Sequence, residues 1–236
     1  PEIRFFLDPE FNEFALISTD GGIYTIDSNL DNPQNLSLNG LGVSQYYSTY
    51  TKRTEPYHIY AGSQDQGFQR SNGDIGGILD FTQSISGDYG HLVSGDGGET
   101  IWSNYPGFTM YYYNPQEGGS GITLDFPGNG HLWLAPLIAD PAYSNIAYLG
   151  GGSVTNGNHI FKLTANSWGI DYEQLDQSFS GVISAMAISP IDYNCRYVMT
   201  ESGQFYFSLD AGNSWEVTNN FTGPTPQYFY GSTIEP

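Results

Sequence analysis

The chain has 236 residues, enough for one large all-β domain or two small ones with a real core. Its 25 acidic residues against 6 basic ones give a formal charge of −19. That argues against nucleic-acid or anionic-membrane binding, which need basic patches, and admits cationic partners, divalent metals or neutral glycans.

The 19 Tyr, 14 Phe and 30 Gly favour strands and tight turns, and charged residues make up only 13% of the chain. No segment of helical length carries a 3.6-residue apolar period, and no apolar run approaches a membrane span. In chain order, a first unit opens at Asp8-Pro9-Glu10-Phe11 and runs into the apolar stretch Phe14-Ala15-Leu16-Ile17. A second centres on Tyr57-His58-Ile59-Tyr60-Ala61-Gly62. In the third, strands are predicted at 99–104, 109–114 and 122–126, with a loop over 116–121. The fourth begins at Asp140-Pro141 and continues through Ile146-Ala147-Tyr148-Leu149. The fifth repeats that pattern from Ser189-Pro190 into Tyr197-Val198-Met199, with strands predicted at 182–189, 196–201, 204–209 and 214–218. Apolar centres recur at roughly 40–50 residues, the length of a four-stranded propeller blade. The reading is an all-β, β-propeller chain of four-stranded antiparallel blades at about 1–40, 41–86, 87–130, 131–180 and 181–222. Residues 223–236 are expected to start a further blade, so the chain reads as a fragment of a larger propeller.

Cys195 stands alone, which rules out an intrachain disulfide, and reads as a small apolar residue at a strand entry. His58, His91, His131 and His159 are scattered without metal-ligand spacing, so no metal site is predicted. A Ca²⁺ held by backbone carbonyls and an Asp such as Asp96 is the one cofactor the composition admits.

The most specific motif is Ser208-Leu209-Asp210-Ala211-Gly212-Asn213-Ser214-Trp215, S-x-D-x-G-x-S-W. An Asp there accepts backbone N–H bonds across a tight turn, and Gly212 supplies the positive φ the turn needs. Trp215 is expected beneath the hairpin. Echoes occur at Ser18-Thr19-Asp20-Gly21-Gly22 and Ser94-Gly95-Asp96-Gly97-Gly98. The motif resembles the Asp-box of BNR-repeat propellers. Ala61-Gly62-Ser63-Gln64-Asp65-Gln66-Gly67-Phe68, followed by Ser86-Gly87-Asp88-Tyr89-Gly90 and the 94–98 element, resembles secreted bacterial sortilin-like propellers and two-propeller xyloglucanases. That resemblance covers roughly residues 13–100. It implies an extracellular or cell-surface module of Bacteroidetes type, with an outer-membrane or secretion-machinery partner as one candidate, and assigns no chemistry by itself.

Glycoside hydrolysis needs two carboxyls at defined separation, for which Asp65, Asp88 and Asp96 are the candidates, with Glu99 beside them. All sit beside Gly or in turns, where Asp is ordinary turn chemistry. Sialidase chemistry lacks its three-arginine clamp. The remaining lead is aromatic: Tyr111, Tyr112 and Trp133, with Gln64, are candidate binding residues for a neutral glycan or protein partner. The expectation is a recognition or scaffold module, with a glycan-degrading enzyme as the alternative.

Overall fold

The computed structural model describes residues 2–19, 22–27, 33–36, 44–72, 80–115, 121–152, 158–218 and 234. Among the described residues twenty strands form five four-stranded antiparallel sheets, each a meander in chain order. The first holds β1 (Glu2–Leu7), β2 (Glu13–Thr19), β3 (Gly22–Asp27) and β4 (Gln34–Asn35). The second holds β5 (Tyr46–Thr51), β6 (Ile59–Ser63), β7 (Gly67–Ser71) and β8 (Phe81–Ile85). The third holds β9 (Leu92–Val93), β10 (Ile101–Tyr105), β11 (Phe108–Tyr112) and β12 (Gly121–Asp125). The fourth holds β13 (Leu137–Ala139), β14 (Ile146–Gly152), β15 (His159–Ala165) and β16 (Ile170–Gln174). The fifth holds β17 (Ile183–Ile188), β18 (Arg196–Thr200), β19 (Phe205–Ser208) and β20 (Glu216–Val217).

The first strands of adjacent sheets touch, β5 with β9, β9 with β13 and β13 with β17, so they line a common axis and each sheet radiates outward as a blade. Three strands have only two described residues: β4 and β20 close the first and fifth meanders, and β9 opens the third. Of the predicted loop at 116–121, residues 116–120 lie outside the described residues and Gly121 opens β12; the predicted further blade at 223–236, apart from Ile234, also lies outside them.

A blade is buried on both faces, so strand alternation feeds two different cores. On β10, Ile101 packs toward the second sheet and Trp102 toward the fourth. On β11, Met110 and Tyr112 face the second sheet while Tyr111 joins Trp102 on the other side. On β14, Ala147 and Leu149 face the third sheet and Tyr148 the fifth. Three cores therefore weld the second to fifth sheets. The second-to-third core is an aromatic stack, with Phe68 lying 4.7 Å from Tyr112 and 5.8 Å from Tyr60. Such pairs add about 0.5–1.5 kcal/mol each beyond the burial of their surface. Burial also pushes the Tyr60 and Tyr89 hydroxyls up to about 12. The first sheet differs: Ile3, Phe5, Leu7 and Phe11 are exposed, and none of these three cores includes it.

Replacing Trp102, which is fully buried, by Ala is expected to cost about 3–5 kcal/mol in denaturant unfolding. Trp168→Ala, at an 86% exposed site, should change stability by less than about 0.5 kcal/mol. Equal losses at the two positions would contradict this assignment of the core.

Candidate functional site

Antiparallel meanders place turns at two ends of the blades. The first-to-second and third-to-fourth turns share one end, here the near end. The second-to-third turns and the crossovers between blades share the other, the far end.

At the near end the sequence builds its first turns from capping side chains. Asp8 Oδ1 accepts the N–H groups of Glu10 and Asn12, and Asp140 Oδ1 those of Ala142 and Tyr143. Ser189 Oγ does the same for Ile191 and Asp192. The recurring Asp-Pro or Ser-Pro dipeptide is thus the signature of the innermost turn.

The third blade uses a different device in the same place. Ser94 Oγ donates to Asp96 Oδ1 at 2.8 Å and accepts from Asp96 N–H at 3.3 Å and Gly98 N–H at 2.8 Å. Thr100 donates its N–H to Asp96 Oδ1 at 3.0 Å and its hydroxyl to Oδ2 at 2.8 Å. The 208–215 turn reproduces that set bond for bond. Ser208 Oγ donates to Asp210 Oδ1 and accepts from the N–H groups of Asp210 and Gly212. Ser214 donates both its N–H and its hydroxyl to Asp210. Gly98 and Gly212 have φ of 99° and 86°, the left-handed region a Cβ disfavours. Trp215 donates to Gly212 O at 3.1 Å and packs edge-on against Phe179. The two turns differ in place. The 208–215 turn joins β19 to β20 on the outer rim, whereas the 94–100 turn joins β9 to β10 beside the axis. The third echo falls on Asp20 and Gly21, outside the described residues.

A cavity of about 450 Å³ opens at this near end of the axis. Its walls are apolar, from Leu92 and Val93 on β9, Ile138 and Ala139 on β13, and Met186 to Ile188 on β17. Ile234 also lines it. Tyr50, Arg53, the 94–97 turn, Ser189 and Tyr193 form its polar rim. Arg53 N–H donates to Gly97 O at 2.8 Å, which ties the second blade to the third. Beside it Lys52, only 1% exposed, lies 3.2 Å from Glu99 Oε1. Among the described residues no Asp or Glu lines this cavity.

The predicted residues distribute over both ends. Gln64 and Asp65 are exposed at the β6–β7 turn on the far end, where Gln64 Oε1 accepts the Tyr47 hydroxyl at 2.9 Å. Asp88, on the crossover from β8 to β9, accepts Asp65 N–H at 2.8 Å, so these two acids are brought together. Asp96 is not with them: it lies at the opposite end of five-residue strands, about 16 Å of chain away. Its carboxylate takes three donors within its own turn. Trp133, 39% exposed, sits on the far-end crossover from β12 to β13.

The expectation that Tyr111 and Tyr112 present a binding surface is corrected. They are 4% and 0% exposed, because both faces of their strand lie between blades, and only Tyr113 of the run reaches solvent, at 43%. Arg53, Tyr50 and Tyr193 at the channel rim were not singled out from sequence. The only signal toward them was the Pro141 and Pro190 repeat, which marks the turns beside the cavity. Among the described residues no group of three or more His, Cys, Asp or Glu could hold a metal ion, and no helix is long and apolar enough to cross a membrane.

The hydrogen bonds from Ser214 and Ser208 hold the Asp210 carboxyl down at about 2, against an ordinary 3.8. The ionised form therefore favours the folded turn. Its contribution is complete above about pH 3.8 and is lost as pH falls through about 2. An NMR titration should show Ser214 amide protection falling in that window, and Asp210→Asn should remove the dependence. Protection unchanged down to pH 2 would contradict it.

No protein-family model matches the chain, and no curated protein matches it by sequence. Among solved structures it is similar to a nidogen/laminin complex, with a TM-score of 0.54 and 10% identity over 94% of this chain and 79% of that one. It is also similar to the GH74 enzyme of Niastella koreensis, with a TM-score of 0.54 and 12% identity over 89% of this chain and 29% of that chain. At such identities the likeness is one of fold, and the fold is a β-propeller.

Proposed function

We propose that the chain is a non-catalytic recognition or scaffold propeller of the BNR/Asp-box, sortilin-like kind, from a secreted or surface-exposed bacterial protein of Bacteroidetes type. The observation that carries this reading is the axial cavity: walls of apolar side chains, an Arg53 rim and no carboxylate among the described residues that line it. Asp96, between the lining residues Gly95 and Gly97, is committed to holding its own turn. The matching bond sets of the 94–100 and 208–215 turns support the Asp-box assignment. The charge of −19 and the scarcity of Lys suit an extracellular protein that engages another protein, an outer-membrane or secretion machine among the candidates, or a neutral glycan.

The second reading, a glycan-degrading hydrolase of two-propeller type, is favoured by one observation. Asp65 and Asp88 meet on the far end, the end that also carries exposed Trp133. Glycan-array and pull-down screens, run beside hydrolysis assays on β-glucans, separate the two. Capture of a protein or glycan without hydrolysis is expected. Hydrolysis that disappears in Asp65→Ala or Asp88→Ala would overturn the recognition reading.

A further inference from the structure

With 25 acidic residues available to 6 basic ones, every cation here has a surplus of carboxylates to meet. Arg4 pairs with Glu2 and Lys52 with Glu99. None of the other four, Arg53, Arg70, Lys162 and Arg196, makes an ion pair among the described residues, and Lys162 and Arg196 line one cavity. It measures about 410 Å³ and lies between the fourth and fifth blades, with residues 211–213 of the outer-rim turn as its far wall.

The fold sets both cations in place. Arg196 opens β18 and lies over the Tyr148 ring at 4.5 Å, while its Nη2 donates to the Tyr148 hydroxyl at 3.2 Å. That hydroxyl in turn donates to Asp140 Oδ2 at 2.9 Å, and the other oxygen of Asp140 caps its own turn. The guanidinium plane is thus fixed by a ring and a hydroxyl, with no carboxylate spent on its charge. Lys162 is the register partner of Tyr148 across β14 and β15, so the two stand side by side on the same face. Glu173, the partner of Lys162 on β16, is exposed, makes no ion pair with it and does not line the cavity.

The rest of the lining is selective in a second way. Gln177 Nε2 donates to Ser178 O at 2.7 Å, and Asn213 Nδ2 to Asp210 O at 2.6 Å. Each amide spends one N–H in that bond and keeps its carbonyl oxygen and a second N–H, and Asp176 adds a carboxylate. The cavity therefore presents two cations beside three groups that can accept hydrogen bonds, the Asp176 carboxylate and two amides. A ligand that answers both carries one carboxylate and several hydroxyl donors. Sulfate supplies no hydroxyl donor to those acceptors. The volume falls in the range of small-ligand sites.

We propose that this inter-blade cavity binds a uronic-acid residue of an acidic glycan, its carboxylate held by Arg196 and Lys162 and its hydroxyls by Asp176, Gln177 and Asn213. The inference rests on the recognition reading and names a ligand class for it. Isothermal titration of the intact chain with trigalacturonate and with a hyaluronan tetrasaccharide tests it, the methyl esters of both serving as neutral counterparts. At least one acidic oligosaccharide should bind, with affinity falling as salt rises. Affinity should fall about ten-fold or more on esterification and in Lys162→Gln, a semi-exposed site whose change leaves the fold intact by circular dichroism. Arg196→Gln should lose as much. Binding of neither acid, equal binding of acid and ester, or no effect of Lys162→Gln would overturn the proposal. So would hexaglutamate binding more tightly than either saccharide, which would assign the cavity to an acidic peptide. Retention by Lys162→Gln of whatever partner the array and pull-down screens capture would leave the recognition reading standing whichever way the titration falls.

Discussion

Face-to-face packing of neighbouring sheets is the interaction on which the rest depends. A four-stranded sheet alone has two wet faces and little core. Stacked between neighbours, each strand sends alternate residues into two cores, as β10 and β11 do with Ile101, Trp102, Met110, Tyr111 and Tyr112. The composition follows from that demand. A space bounded by twisted sheets is filled by wide, flat side chains, which is why so many Tyr and Phe occur and why so few of those on the inner strands reach solvent.

Because the cores consume the strand faces, recognition is left to turns and crossovers at the two ends and to gaps between blades. The turns are themselves constrained, since each must satisfy its own backbone polar groups. Asp8, Asp140, Ser189, Asp96 and Asp210 do that work, and it removes most of the conspicuous acids from ligand chemistry. What remains available is sparse and specific: the axial cavity with its apolar inner wall and polar rim at Arg53, the far-end group around Asp65 and Asp88, and the Arg196–Lys162 cavity. A strongly acidic chain that keeps two cations together between blades, neither in an ion pair among the described residues, is organised for an acidic ligand there, whatever the axial cavity accepts.

Architecture was legible in sequence because it is written in local periodicity. The Asp-Pro and Ser-Pro repeats and the apolar centres marked the blades, and the S-x-D-x-G spacing marked two turns with one bond pattern. The two-residue strands β9 and β20 carry too short an alternation to set their bounds. Site geometry was less legible. Tyr111 and Tyr112 read as one aromatic run, yet they belong to different cores, since a doubly buried strand has no outward face. Asp65, Asp88 and Asp96 read as one cluster along the chain, but strand direction sends Asp96 to the opposite end. The Arg196 and Lys162 cavity assembles residues from three blade segments far apart in sequence. Only the scarcity of basic residues hinted that any two together would matter.

The central claim is that inter-blade cores, and not the turns, hold the second to fifth sheets as one body. Native-state hydrogen exchange tests it most directly. The account predicts that amides of β10, β11, β14, β15, β17 and β18 exchange only through a common opening with one free energy, equal to that of global unfolding. Amides of the 208–215 turn and of the first sheet should exchange through smaller, separate openings. Distinct opening free energies for the third, fourth and fifth sheets would contradict it, since blades that open one at a time are not held by shared cores.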